Sequence, residues 1–144
     1  MGSDTRNIAQ LFAVVVGVTY LAIGVLGFAV TGFSGAVLDG PDKLIGFDLN
    51  PLHNVIHIGV GAILLTAGTM KEPTIAQGAL IGGGTVYVLA ALLGFLGGLE
   101  IISINDGDRL APDNFLHLFS GIAAITAGAL GAKQTDDALP AARA

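Results

Sequence analysis

The three histidines of this chain fall in two short stretches that resemble each other. One reads Asn50-Pro51-Leu52-His53-Asn54-Val55-Ile56-His57, the other Pro112-Asp113-Asn114-Phe115-Leu116-His117. Residues four apart on a helix lie about 40° apart around its axis, so His53 and His57 share one face. Asp113 and His117 repeat that geometry with a carboxylate in the first position. Four chemistries are open to such a set. His53, His57, His117 and Asp113 are a ligand set for a borderline divalent ion such as zinc. The pattern is loose, because an i, i+4 His pair without the adjacent Glu of a zinc protease is weak evidence for a metal. His57 and His117 could be axial ligands of a heme or chlorophyll-type tetrapyrrole. Gly61 and Gly121, one turn deeper, would then leave room for a flat cofactor. A third option is glue: the His, Asn and Asp side chains bond between helices, with Asn54, Asn114, Tyr20 and Tyr87 in the polar network, at about 0.6 to 2 kcal/mol per hydrogen bond in a membrane. The fourth is a proton or ion relay, with Tyr20 and Tyr87 extending it inward. No charged residue lies on the inner half to complete such a path.

These residues need a scaffold, and the sequence describes one. Four stretches carry no Asp, Glu, Lys or Arg over a length that crosses the hydrocarbon core: about residues 8–33, 52–70, 74–99 and 114–132. With 53% hydrophobic and 12% charged residues and a mean hydropathy of +0.78, 144 residues could not hide their apolar surface from water. The 22 glycines suit membrane helices. The reading is an all-α bundle of four transmembrane helices in a single membrane domain. The first apolar run is too long for a cleaved signal peptide. His57, about six residues into its helix, would sit roughly 9 Å deep. Ionisable groups at such depth turn toward the bundle interior and mark a site or a relay.

The halves repeat. At an offset of 67, Ile8-Ala9-Gln10 matches Ile75-Ala76-Gln77, Gly17 matches Gly84, Tyr20 matches Tyr87, and Leu26-Gly27-Phe28 matches Leu93-Gly94-Phe95. At an offset of 60, Asn54 matches Asn114, His57 matches His117, and Gly61 matches Gly121. Apolar composition alone does not align Tyr, Gln, Asn and His in order. Repeat units of about 8–70 and 74–132 would be two helical hairpins of the same orientation, related by a pseudo-two-fold axis along the membrane normal. The small residues Gly17, Gly24, Gly27, Gly84, Ala91 and Gly94 mark close helix approach.

Arg6, Lys71, Lys133 and Arg143 lie on the side of the termini and the tight Lys71-Glu72-Pro73 turn, against Lys43 and Arg109 on the other. The positive-inside rule places both termini in the cytoplasm. The net charge of −5 then belongs to the outer face and argues against nucleic acid as a partner. The acidic segments Asp39-Gly40-Pro41-Asp42 and Asn105-Asp106-Gly107-Asp108 are turns rather than calcium loops. Beyond Lys133 a short polar tail reads as disordered. With no cysteine, no phosphate loop and no serine beside a histidine, the only enzymatic reading is a catalytic zinc site.

The paired motifs His53-Asn54-Val55-Ile56-His57 and Asn114-Phe115-Leu116-His117, with Leu80 to Gly84 followed by Tyr87, resemble a family of small four-helix bacterial membrane proteins known only as a domain of unknown function. The resemblance spans about residues 8–132. It implies a multi-pass protein of the bacterial inner membrane and leaves the activity open. On this reading the chain is a binding or accessory subunit. Its partners are the lipid bilayer and other membrane subunits or a second copy of itself.

Overall fold

The computed structural model describes residues 6–35, 42–99 and 108–141. Four helices carry the fold: α1 (Ile8–Thr31), α2 (Pro51–Thr69), α3 (Pro73–Phe95) and α4 (Pro112–Ala141). Two short strands, β1 (Asp42–Leu44) and β2 (Phe47–Leu49), pair antiparallel between α1 and α2. Each helix is long and apolar enough to cross a membrane. Of the acidic turns proposed at 39–42 and 105–108, only Asp42 and Asp108 are among the described residues, and Glu100 and Arg143 lie outside them.

Helix starts follow local chemistry. Asn7 caps α1, accepting from the Ala9 N–H at 2.9 Å, while the Gln10 side chain accepts from the Asn7 N–H at 3.0 Å. This reciprocal box satisfies donors that the first turn leaves free. The Asn50 side chain accepts from the His53 N–H at 2.8 Å and caps α2. Pro51, Pro73 and Pro112 each take the first helical position, where a missing N–H costs nothing. Gly32, at φ +65°, ends α1.

Two boundaries differ from the sequence reading. α3 stops at Phe95, and Gly97, at φ +86°, turns the chain there. The tail expected to be disordered instead continues α4 to Ala141. Cross-helix bonds hold it. Gln134 Oε1 accepts from the Ile8 N–H at 3.0 Å, Thr135 accepts from Gln77 Nε2 at 2.8 Å, and Asn7 Nδ2 donates to the Gly131 carbonyl at 2.8 Å.

α1 packs chiefly on α2 and α3 on α4, and the two helical hairpins then close on each other. Glycine sets both contacts at matched positions. A Cβ on Gly17 would lie 2.9 Å from the Gly61 carbonyl oxygen, and one on Gly84 would lie 2.7 Å from that of Gly121. Without side chains at these crossings the backbones touch. The interior of the bundle holds small apolar residues such as Ala9, Ala13, Ala76 and Ala127, with Leu64 and Leu80. Gln10, His53, Asn54, His57, Gln77, Asp113 and Asn114 are buried with them, while Val25, Leu26, Val86 and Phe119 point outward. Apolar outside and polar inside is the distribution that a lipid solvent selects and water rejects. The protein is a multi-pass membrane protein in a lipid environment.

Candidate functional site

At the end of the bundle that carries the β-hairpin, the starts of α2 and α4 come together. Asp48 of β2 lies between them. His53 Nδ1 is 3.0 Å from the Asp48 carbonyl oxygen. That oxygen can only accept, so the proton sits on Nδ1 and leaves Nε2 of the neutral ring as an acceptor. The Asp48 N–H donates to Asp113 Oδ2 at 3.1 Å. His53 and Asp113 correspond in the 60-residue offset, so each half of the repeat supplies one side chain to the same strand residue. The Asp48 carboxylate is buried and forms an ion pair with Lys43 of β1. The β-hairpin turns through Ile45 (φ +55°) and Gly46 (φ +87°). Two successive residues of positive φ are the pattern of a tight two-residue β-turn, which favours Asn-Gly. Ile45 is a β-branched residue in the left-handed region and is 89% exposed at the tip.

Beneath this β-hairpin five rings form a closed belt. His53 stacks on His57 with centroids 4.5 Å apart. The edge of Tyr20 meets His57 at 5.1 Å, and Tyr20 stacks on Tyr87 at 5.7 Å. Tyr87 meets His117 edge-on at 5.3 Å, and His117 lies 6.2 Å from His53. Both halves thus repeat one edge-to-face Tyr–His contact, a geometry worth about 0.5–1.5 kcal/mol beyond area burial. All five rings line a cleft of about 350 Å³. Its remaining walls include Leu44, Ile45, Phe47 and Leu49 of the β-hairpin, Ile23 of α1 and Leu116 of α4. Thr19 and Leu116, on its two sides, are exposed on the bundle's outer surface, so the cleft opens between α1 and α4. A second, apolar cavity of about 140 Å³ lies deeper and shares Thr19, Tyr20, Tyr87 and Ser120 with the first.

Two groups in the belt lack partners. His57 Nδ1 and His117 Nδ1 are buried and make no hydrogen bond. Buried polar atoms are normally satisfied, so each orphan calls for an explanation.

The sequence-predicted residues divide. His53, His57, His117, Asp113, Tyr20 and Tyr87 come together around the cleft. Gly61 and Gly121 do not. A Cβ on Gly61 would strike Leu21 N at 2.7 Å, and one on Gly121 the Gly84 carbonyl at 2.7 Å. They serve helix packing and leave no slot at those two positions, and the tyrosine pair links His57 to His117. Among the described residues, no group of three or more His, Cys, Asp or Glu side chains is arranged to hold a metal ion. Asn54 and Asn114 turn away from the cleft. Both are fully buried, Asn54 against Gly27 and Asn114 against Gly94. Asn54 Nδ2 donates to Thr31 Oγ1 at 2.8 Å, and Asn114 Nδ2 to the Arg109 carbonyl at 3.1 Å. They brace each helical hairpin from within.

Sequence reasoning missed the β-hairpin and with it Asp48. The signal was present: Asp42-Lys43-Leu44 and Phe47-Asp48-Leu49 flank a two-residue Ile45-Gly46 step.

Residues 10–130 match a family described as Domain of unknown function (DUF4383). The chain belongs to this family. The DUF4383 match covers both helical hairpins, including the paired motifs in which the resemblance was read. No curated protein and no solved structure matches the chain.

Proposed function

We propose that this DUF4383 protein binds a small ligand from the membrane in the cleft between α1 and α4, as a binding or accessory component of a membrane assembly. One observation carries the reading. A cleft of about 350 Å³ is lined by three imidazoles, and two of these have a buried ring nitrogen without a protein partner. Ligand sites are typically apolar hollows of roughly 300–1,000 Å³ with a few convergent polar groups. Asn54 Oδ1 is also buried without a partner, but it is packed against Gly27 away from the cleft, whereas the two imidazoles line the cleft, where a ligand can reach them.

The excess of Lys and Arg on the side of the termini supports a bacterial inner-membrane protein with both termini cytoplasmic and the β-hairpin outside. The cleft then opens near the outer leaflet.

The test is purification in mild detergent, organic extraction and mass spectrometry. Wild-type protein should release an amphiphile in near-stoichiometric amount, and the His57→Ala/His117→Ala double variant should not. A wild-type extract holding only bulk lipid, identical to that of the variant, would overturn the reading. Visible absorbance and elemental analysis of the same sample test the tetrapyrrole and zinc alternatives directly.

A further inference from the structure

We infer that the cleft's ligand is a lipid-soluble, uncharged ring compound of the quinone/quinol class, its oxygens at the imidazoles and its tail leaving between α1 and α4. This rests on the ligand-binding reading above and narrows it to a chemical class. The first argument is charge. Among the described residues no Lys or Arg lines the cleft, Lys43 is paired with Asp48, and the one carboxylate in its wall, Asp113, accepts from the Asp48 N–H. A phosphate-bearing head would enter this site without a counter-charge, at a large desolvation cost. The second is hydrogen-bond polarity. His53 offers an acceptor at Nε2, because its Nδ1–H is committed to Asp48. His57 Nδ1 and His117 Nδ1 make no hydrogen bond within the protein and stand at equivalent positions in the two halves. A ring with oxygens on opposite edges has the same two-fold layout, and its reduced form supplies both donors and acceptors. The third is shape. The belt is built of flat rings, and Phe47 of the β-hairpin also lines the cleft. A planar head can stack there where a branched glycerol head cannot. The fourth is the exit. Ile23 of α1 and Leu116 of α4 give the cleft apolar walls where it opens between these helices.

The chain carries its own probe. It has 2 tyrosines and no tryptophan, and both tyrosines belong to the ring belt. Quinones quench tyrosine emission at contact, so intrinsic fluorescence reports occupancy. Protein in phosphatidylcholine nanodiscs would be titrated with decyl-ubiquinone and, in competition, with the ring-less decanol. The expected result is saturable quenching that decanol does not reverse. His57→Ala and His117→Ala should each weaken it at least tenfold. Thr19→Phe, which fills the cleft from its exposed rim and keeps every histidine, should do the same. Thr126→Ala, on the outer face of α4, should leave it unchanged. Quenching that is linear with added quinone and equal in all variants overturns the proposal. If decanol competes on equal terms and the variants lose both ligands, the quinone class is wrong and the binding cleft stands. If neither compound binds saturably, both readings fall.

Discussion

Asn114 and Gly94 form a lock that a double-mutant cycle can open. A Cβ added at Gly94 would sit 1.8 Å from Asn114 Oδ1 and 2.5 Å from its Cγ. Asn114 is fully buried and donates to the Arg109 carbonyl, so it cannot swing aside without leaving its partner. Gly94→Ala therefore forces an overpacked core, at about 1–3 kcal/mol. It also breaks a membrane-buried hydrogen bond worth about 0.6 kcal/mol. The expected loss is roughly 2–3 kcal/mol. Asn114→Ala alone removes the bond and leaves a small void, about 1–2 kcal/mol. In the double variant the new methyl has space, and the helix regains about 0.5–1 kcal/mol from replacing glycine. The double variant should thus be no worse than Asn114→Ala, so the coupling is at least the Gly94→Ala loss of roughly 2–3 kcal/mol. Unfolding monitored by far-UV circular dichroism, with SDS added to a mild detergent, measures all four corners. Additive losses, with the double variant the least stable, would refute the lock. The matched pair Gly27 and Asn54 should behave alike, since a Cβ there would lie 2.1 Å from Asn54 Oδ1.

Three further outcomes are expected. Asp113→Ala should speed amide exchange at Asp48 roughly tenfold or more, because an unsatisfied buried donor costs about 1–3 kcal/mol, while Asp113→Asn keeps the accepting oxygen and should not. Ile45→Asn should slow exchange in the β1–β2 pair about fivefold, since the left-handed conformation costs an ordinary residue about 1–2 kcal/mol and asparagine less. Because the chain has no cysteine, single cysteines can report sidedness in intact cells: Ile45→Cys should react with an impermeant maleimide and Lys71→Cys should not, and the reverse pattern would invert the topology.

The helices were legible because lipid imposes a simple rule, long runs without charge, and all four runs became helices. The repeat was legible because matched Gly and Asn positions do the same physical work in both halves, as at Gly27 with Asn54 and Gly94 with Asn114. Which side of each helix a residue serves was harder to read. Asn54 and His53 are neighbours in sequence, yet one braces α1 and the other faces the cleft, because a single step turns the helix by about 100°. Gly61 was read as room for a ligand because it shares a face with His57. Hydropathy cannot say whether a small residue borders a void or a neighbouring backbone, and here it borders Leu21 and Gly17. The polar end of α4 looked unstructured because its order comes from Asn7, Ile8 and Gln77, which are distant in the chain.

The hold that His53 and Asp113 take on Asp48 has a consequence for how such a protein can be assembled. A strand residue is lopsided, giving a proton at its N–H and taking one at its carbonyl. Two identical side chains flanking it cannot both fit in the same state: a pair of carboxylates would set one against the carbonyl, and a pair of imidazoles would need opposite tautomers. A dimer of identical half-length subunits would meet this conflict on its symmetry axis. Carrying both halves in one chain lets the two positions differ, so a single strand residue can be held by an imidazole from one half and a carboxylate from the other.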